Sequence, residues 1–97
     1  METQEIIAIT DLCSTYQLEV SFFNALSDVG LIEIITRKKV SYLHQDALTD
    51  IEKMIRMHQD LNVNIEGIDV VFNLLNKVDE LQNELNATKN RLRLYED

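Results

Sequence analysis

Along the last third of the chain a stripe recurs at alternating spacings of three and four: Val71, Leu74, Val78, Leu81, Leu85, Thr88, Leu92 and Tyr95. That spacing predicts a long helix carrying a coiled-coil seam, one narrow apolar row that another helix must cover. From Ile65 to the C-terminus there is no proline and a single glycine, Gly67, so nothing obliges the helix to break. About thirty residues at about 1.5 Å each make a rod about 45 Å long, more than a domain of roughly sixty residues can cover. The first turns, with Ile68, Val71, Phe72 and Leu75, are expected to pack back on the chain's own domain. Beyond them the pattern predicts a homodimer held by Val71, Leu74, Val78, Leu81, Leu85, Leu92 and Tyr95. A parallel register of that dimer pairs Glu84 with Lys89 and Arg91 with Glu96 across chains.

The front half has shorter periods. Thr10 is a good N-cap for a helix that runs to about Tyr16, with Asp11 favourably placed at its positive end. Val20, Phe23, Ala25, Leu26 and Val29 mark a second amphipathic helix, and Gly30 stands where a left-handed residue would stop it. With the Gln17–Glu19 turn, the pair has a helix-turn-helix outline. Of the adjacent Phe22 and Phe23, one must face away from the main stripe; both are expected to be buried, with Phe22 the candidate for contact with a partner. Leu31 to Ile35 and Val40, Tyr42 and Leu43 flank the polar Thr36-Arg37-Lys38-Lys39, which predicts a two-stranded wing packed on the helices. Ala47, Leu48, Ile51, Met54, Ile55 and His58 mark a third helix ending near Leu61, and Asn64 is placed to cap the long one. The order is helix, helix, wing, helix, long helix, with residues 1–64 as a domain and 65–97 as the dimerisation helix of one compact unit.

Composition changes this picture little, and charge changes it more. A 97-residue chain that is 45% hydrophobic and 27% charged is an ordinary globular domain. No apolar run reaches bilayer length and the first ten residues lack the pattern of a secretion signal, so a cytoplasmic location of the bacterial kind is expected. The lone Cys13 reads as a small buried apolar residue, and with the distant His44 and His58 it makes no metal-ligand spacing. No cofactor is implied. Without a glycine-rich phosphate loop, a nucleophile elbow or a histidine-centred motif, the chain is not expected to be an enzyme; His58 falls on the apolar side of its helix as a structural residue.

Seventeen acids against nine bases give a net charge of −8, and from Gln45 onward eleven acids meet six bases. Such a field repels nucleic-acid phosphates and favours a basic protein partner. The candidate contacts are Asp46, Asp50, Glu52 and Asp60 on or beside the third helix and Glu66 and Asp69 on the fourth, where Asp79, Glu80 and Glu84 follow. Asp46 and Asp50, four apart, are expected to share a helix face. These acids either offer a basic helix a docking face or form an ordinary solvated surface.

The order of elements, Ile9-Thr10-Asp11-Leu12-Cys13 at the front, Gly30-Leu31-Ile32-Glu33 before the wing, Tyr42 ahead of the third helix and the terminal coiled coil together resemble a MerR-type winged-helix domain. More closely, they resemble the chaperone-modulator CbpM branch of that fold. The resemblance implies a mainly α fold: a winged helix-turn-helix with a small β-hairpin wing and a long C-terminal coiled-coil helix. It also implies a protein that binds the J-domain of a DnaJ-like co-chaperone of the CbpA type and restrains its stimulation of Hsp70. MerR architecture implies an antiparallel dimer, against the parallel charge pairing above. The DNA-binding members of the fold carry an arginine and an aromatic residue in the second helix; here Phe22-Phe23-Asn24-Ala25-Leu26-Ser27-Asp28 holds no base, and only Asn24 is suited to read one. Arg37, Lys38 and Lys39 on the wing keep a DNA-binding regulator as the alternative, and a dimeric protein-interaction adaptor is a third reading. Metal-sensing members need cysteines near the dimer helix, and this helix has none.

Overall fold

In the computed structural model, residues 5–95 are described, which leaves Glu96 and its expected pairing with Arg91 outside them. The chain opens with a short strand, β1 (Ile6–Ala8), and passes directly into α1 (Ile9–Tyr16); α2 (Val20–Asp28), β2 (Ile35–Arg37) and β3 (Val40–His44) follow. A 3-10 turn (Gln45–Ala47) leads into α3 (Leu48–Asp60), and α4 (Ile65–Leu94) closes the chain with thirty residues.

β1 is an element that hydropathy did not announce, because three residues are too few to establish a period of two. It pairs antiparallel with β3, Ile7 opposite Leu43, so the wing is one part of a three-stranded sheet in the order β1-β3-β2. This strand also displaces the expected start of α1. Ala8, still extended, occupies the cap position, and Thr10 lies inside the helix as an exposed residue with no capping role. The wing is shorter than Leu31–Ile35 implied, because β2 begins only at Ile35. Thr36 and Arg37 belong to the strand rather than the turn, and Arg37 opposes Val40. The connection is therefore the two residues Lys38 and Lys39, both with positive φ, 53° and 68°. That is the signature of a type I′ turn, whose handedness matches the twist of paired strands.

Helix ends follow local chemistry. α2 stops at Gly30, whose φ of 83° is the left-handed conformation a terminating residue needs. At the start of α4 the Asn64 side chain accepts a hydrogen bond from the Gly67 backbone N–H at 2.8 Å, satisfying one of the free donors of the first turn. Gly67 is glycine for space: a Cβ there would lie 2.6 Å from Val63 Cγ1.

The core lies where all three shorter helices meet the sheet. Ile9 and Leu12 of α1, Phe22, Phe23 and Leu26 of α2, and Ile51, Met54 and Ile55 of α3 surround Leu43 of β3. α4 contributes Ile68, fully buried, and Phe72; past that point it leaves the domain and runs into solvent. The structure is a mainly helical winged helix-turn-helix with a small antiparallel sheet and a long C-terminal helix.

Candidate interaction surfaces

α4 carries two distinct apolar rows. At about 100° per residue, Ile68, Phe72 and Leu75 form the row turned toward the domain, and they open progressively: 0%, 9% and 43% exposed. The second row, Leu74, Val78, Leu81, Leu85 and Leu92, is turned about 120° away from the first. Among the described residues nothing covers it beyond the α3 side chains that border Val78: the residues of the row are 48–59% exposed, and Tyr95 is 86% exposed. Val71 lies between the rows and is half-buried. Of the residues expected to pack back on the domain, Leu75 does so only in part, 43% exposed beside Asp50 and Lys53 of α3.

The six acidic candidates do not form one patch. Asp46 sits on the 3-10 turn rather than on α3, and the tighter winding there breaks the helical spacing that would have put it in line with Asp50. It instead lines a shallow cleft of about 410 Å³ with Glu33 and His44. Glu52 is tied into the fold: it accepts the Tyr16 hydroxyl at 2.8 Å, while Gln59 Nε2 donates to the Tyr16 carbonyl at 2.7 Å, so α1 is strapped to α3 at two points. That hydrogen bond to Glu52, more than burial, raises the Tyr16 pKa above its ordinary value. Asp69 is half-buried and accepts from Asn73 at 3.2 Å. Asp60 and Glu66 are exposed near the facing ends of α3 and α4.

The Asp46 cleft is itself partly apolar, with Leu31, Ile32 and Ala47 in its lining, and Asp50 borders a second cleft. Together with Lys53 of α3 and Asp79 of α4 it rims a depression of about 220 Å³ lined by Phe72, Leu75, Asn76 and Val78. The sequence reading missed Leu75 and Asp79 as a site. The signal was present, because Ile68, Phe72, Leu75 and Asp79 follow one another on a single helical row, which turns from apolar to acidic where the domain ends.

Phe22 is buried, as expected for both phenylalanines. Its ring is 7% exposed, edge-on to Phe23 (centroids 5.4 Å apart) and stacked on His58 at 4.6 Å and 29°. What remains exposed of the ring lines a shallow cleft of about 350 Å³ with Leu18, Glu19 and His58. His58 Nδ1 lies 3.5 Å from the Val63 carbonyl oxygen, so the imidazole joins α2, α3 and the loop before α4. Cys13 is half-buried against the core, and that burial raises its thiol pKa, which makes it a poor nucleophile at neutral pH.

On the helix-turn-helix, the exposed residues of α2 are Val20, Ser21, Asn24 and Asp28, with Glu19 just ahead of them. None is basic. The exposed Arg37, Lys38 and Lys39 sit together at the wing tip, the only run of three cations in the chain. Among the described residues no cluster of three His, Cys, Asp or Glu is arranged for a metal ion, and no helix is long and apolar enough to cross a membrane.

The family model described as MerR HTH family regulatory protein matches residues 7–90, from β1 nearly to the end of α4. No curated protein and no solved structure matches the chain.

Proposed function

The chain belongs to the MerR HTH family of regulatory proteins, and from that premise we propose that it regulates by binding protein: an acidic, dimeric modulator of the CbpM kind that occupies the J-domain of a DnaJ-like co-chaperone and inhibits its stimulation of Hsp70. One observation carries this reading. The helix that would lie against a duplex exposes no positive charge and is flanked by Glu19 and Asp28. Insertion of that face into a groove would bring carboxylates toward phosphates, whereas DNA-binding surfaces depend on Lys and Arg for most of their affinity. The same acidity favours a partner with a basic helix, through faster encounter and suppression of wrong partners. The uncovered second row of α4 supports homodimerisation, and the protein acts in this reading as a binding module in the cytoplasm, without a cofactor and without catalysis.

A DNA-binding regulator is kept as a second reading by the wing tip, where Arg37, Lys38 and Lys39 are all exposed. Three phosphate contacts per subunit would give a salt slope of only about −2.7 per protomer. Both readings are tested by titrating the labelled protein with a purified J-domain from a DnaJ-like protein of the same organism and, in parallel, with duplex DNA, each at two salt concentrations. Saturable J-domain binding that weakens with salt, together with loss of J-domain-stimulated Hsp70 ATPase activity, is the expected result. Tight DNA binding with an inert J-domain would sink the modulator and promote the regulator; if neither titrant binds, the adaptor reading takes its place.

A further inference from the structure

We infer that the cleft where α4 leaves the domain, between α3 and α4, is a docking site for a basic amphipathic helix that inserts one aliphatic side chain; this rests on the modulator reading and gives that partner its place. The cleft's lining mixes apolar Phe72, Leu75 and Val78 with the polar Asn76, and Leu75 stays 43% exposed although it lies on the row that faces the domain. Its volume, about 220 Å³, is below the roughly 300–1,000 Å³ of pockets for small molecules. The space suits a single side chain presented by a larger partner. Asp50 from α3 and Asp79 from α4 rim it, against one cation, Lys53. Two carboxylates beside a partly apolar notch complement a helix in which a basic residue sits one turn from an aliphatic one.

A second copy of the chain is a poorer occupant. The row left for dimerisation, Leu74, Val78, Leu81, Leu85 and Leu92, is turned about 120° from Leu75 and Asp79; Val78 alone belongs to both the row and the cleft, so a helix lying on that row covers one edge of the cleft and leaves Phe72, Leu75, Asp50 and Asp79 open. The two apolar faces of α4 therefore serve two tasks at once: one joins the protomers and the other, at its acidic end, receives the partner. Nucleic acid is excluded by the carboxylates.

The test titrates the J-domain into the full chain and five variants while sedimentation follows the oligomeric state. Asp50→Lys, Asp79→Lys and the double variant change only exposed residues, Leu75→Ser removes an apolar side chain of the lining, and Lys53→Glu removes the one opposing charge. The expected result is J-domain affinity at least tenfold weaker in the double reversal and in Leu75→Ser, severalfold tighter in Lys53→Glu with a steeper salt dependence, and an unchanged oligomeric state throughout. Wild-type binding that all variants retain within twofold overturns the docking site and leaves the modulator reading standing. Absence of wild-type binding overturns the modulator reading, and the docking site with it.

Discussion

The double substitution Leu81→Ser/Leu85→Ser should dissociate the proposed dimer while leaving the winged domain folded. Burying a leucine completely is worth about 1.5–3 kcal/mol. In the protomer Leu81 is still 59% exposed and Leu85 48% exposed, so about half of that value remains to be gained on association, about 1 kcal/mol per side chain. Two positions in each of two protomers make about 4 kcal/mol, which is roughly three orders of magnitude in the dimer dissociation constant. Neither residue touches the core, whose last contribution from α4 is Phe72. Far-ultraviolet circular dichroism and the chemical shifts of core methyls such as Ile51 and Leu43 should therefore survive. Sedimentation equilibrium over a wide range of protomer concentration measures the constant directly. A variant that dimerises within tenfold of the wild type would refute the assignment of this row to the interface, as would a wild-type chain that stays monomeric at high concentration.

Further predictions concern the domain itself. Asn64→Ala removes the acceptor for the Gly67 N–H and should cost about 1 kcal/mol, a fall in Tm of about 4–8 °C measured by calorimetry at fixed protomer concentration. Lys38→Asn/Lys39→Gly supplies the residues that a type I′ turn prefers; relieving two left-handed lysines should raise stability by about 1 kcal/mol in denaturant unfolding. That pair should leave J-domain binding unchanged, whereas the DNA-binding alternative requires it to abolish binding to a duplex. Tyr16 ionises less readily in the folded chain than in the unfolded one, so its contribution is complete below the ordinary tyrosine pKa of about 10 and is lost as pH rises through the raised folded value. Wild-type stability should accordingly fall more steeply above pH 10 than that of Tyr16→Phe, compared by urea unfolding across pH 8–11; parallel curves would show that the Glu52 hydrogen bond does not bias the hydroxyl.

Sequence alone determined the parts governed by local or periodic physics. The α4 seam was legible because a repeat of three and four sustained over many turns specifies one helix face. The break before that helix was legible because Asn64 carries its own capping acceptor, and the end of α2 because Gly30 adopts a conformation that other residues resist. The lack of any base on α2 was also a fact of sequence, and it is the strongest guide to function.

Tertiary structure decided what depends on partners distant in the chain. β1 exists because Ile6–Ala8 can pair with β3, thirty-five residues or so away, and that pairing moved the start of α1 off Thr10. The stacking of Phe22 on His58 and the hydrogen bond from Tyr16 to Glu52 join residues far apart in the chain; neither contact leaves a mark in local periodicity. The cleft beside Leu75 likewise depends on where α3 ends against α4. A helical pattern tells which residues share a face, but only packing tells where along that face the cover stops, because burial is a property of neighbours and not of the residue buried.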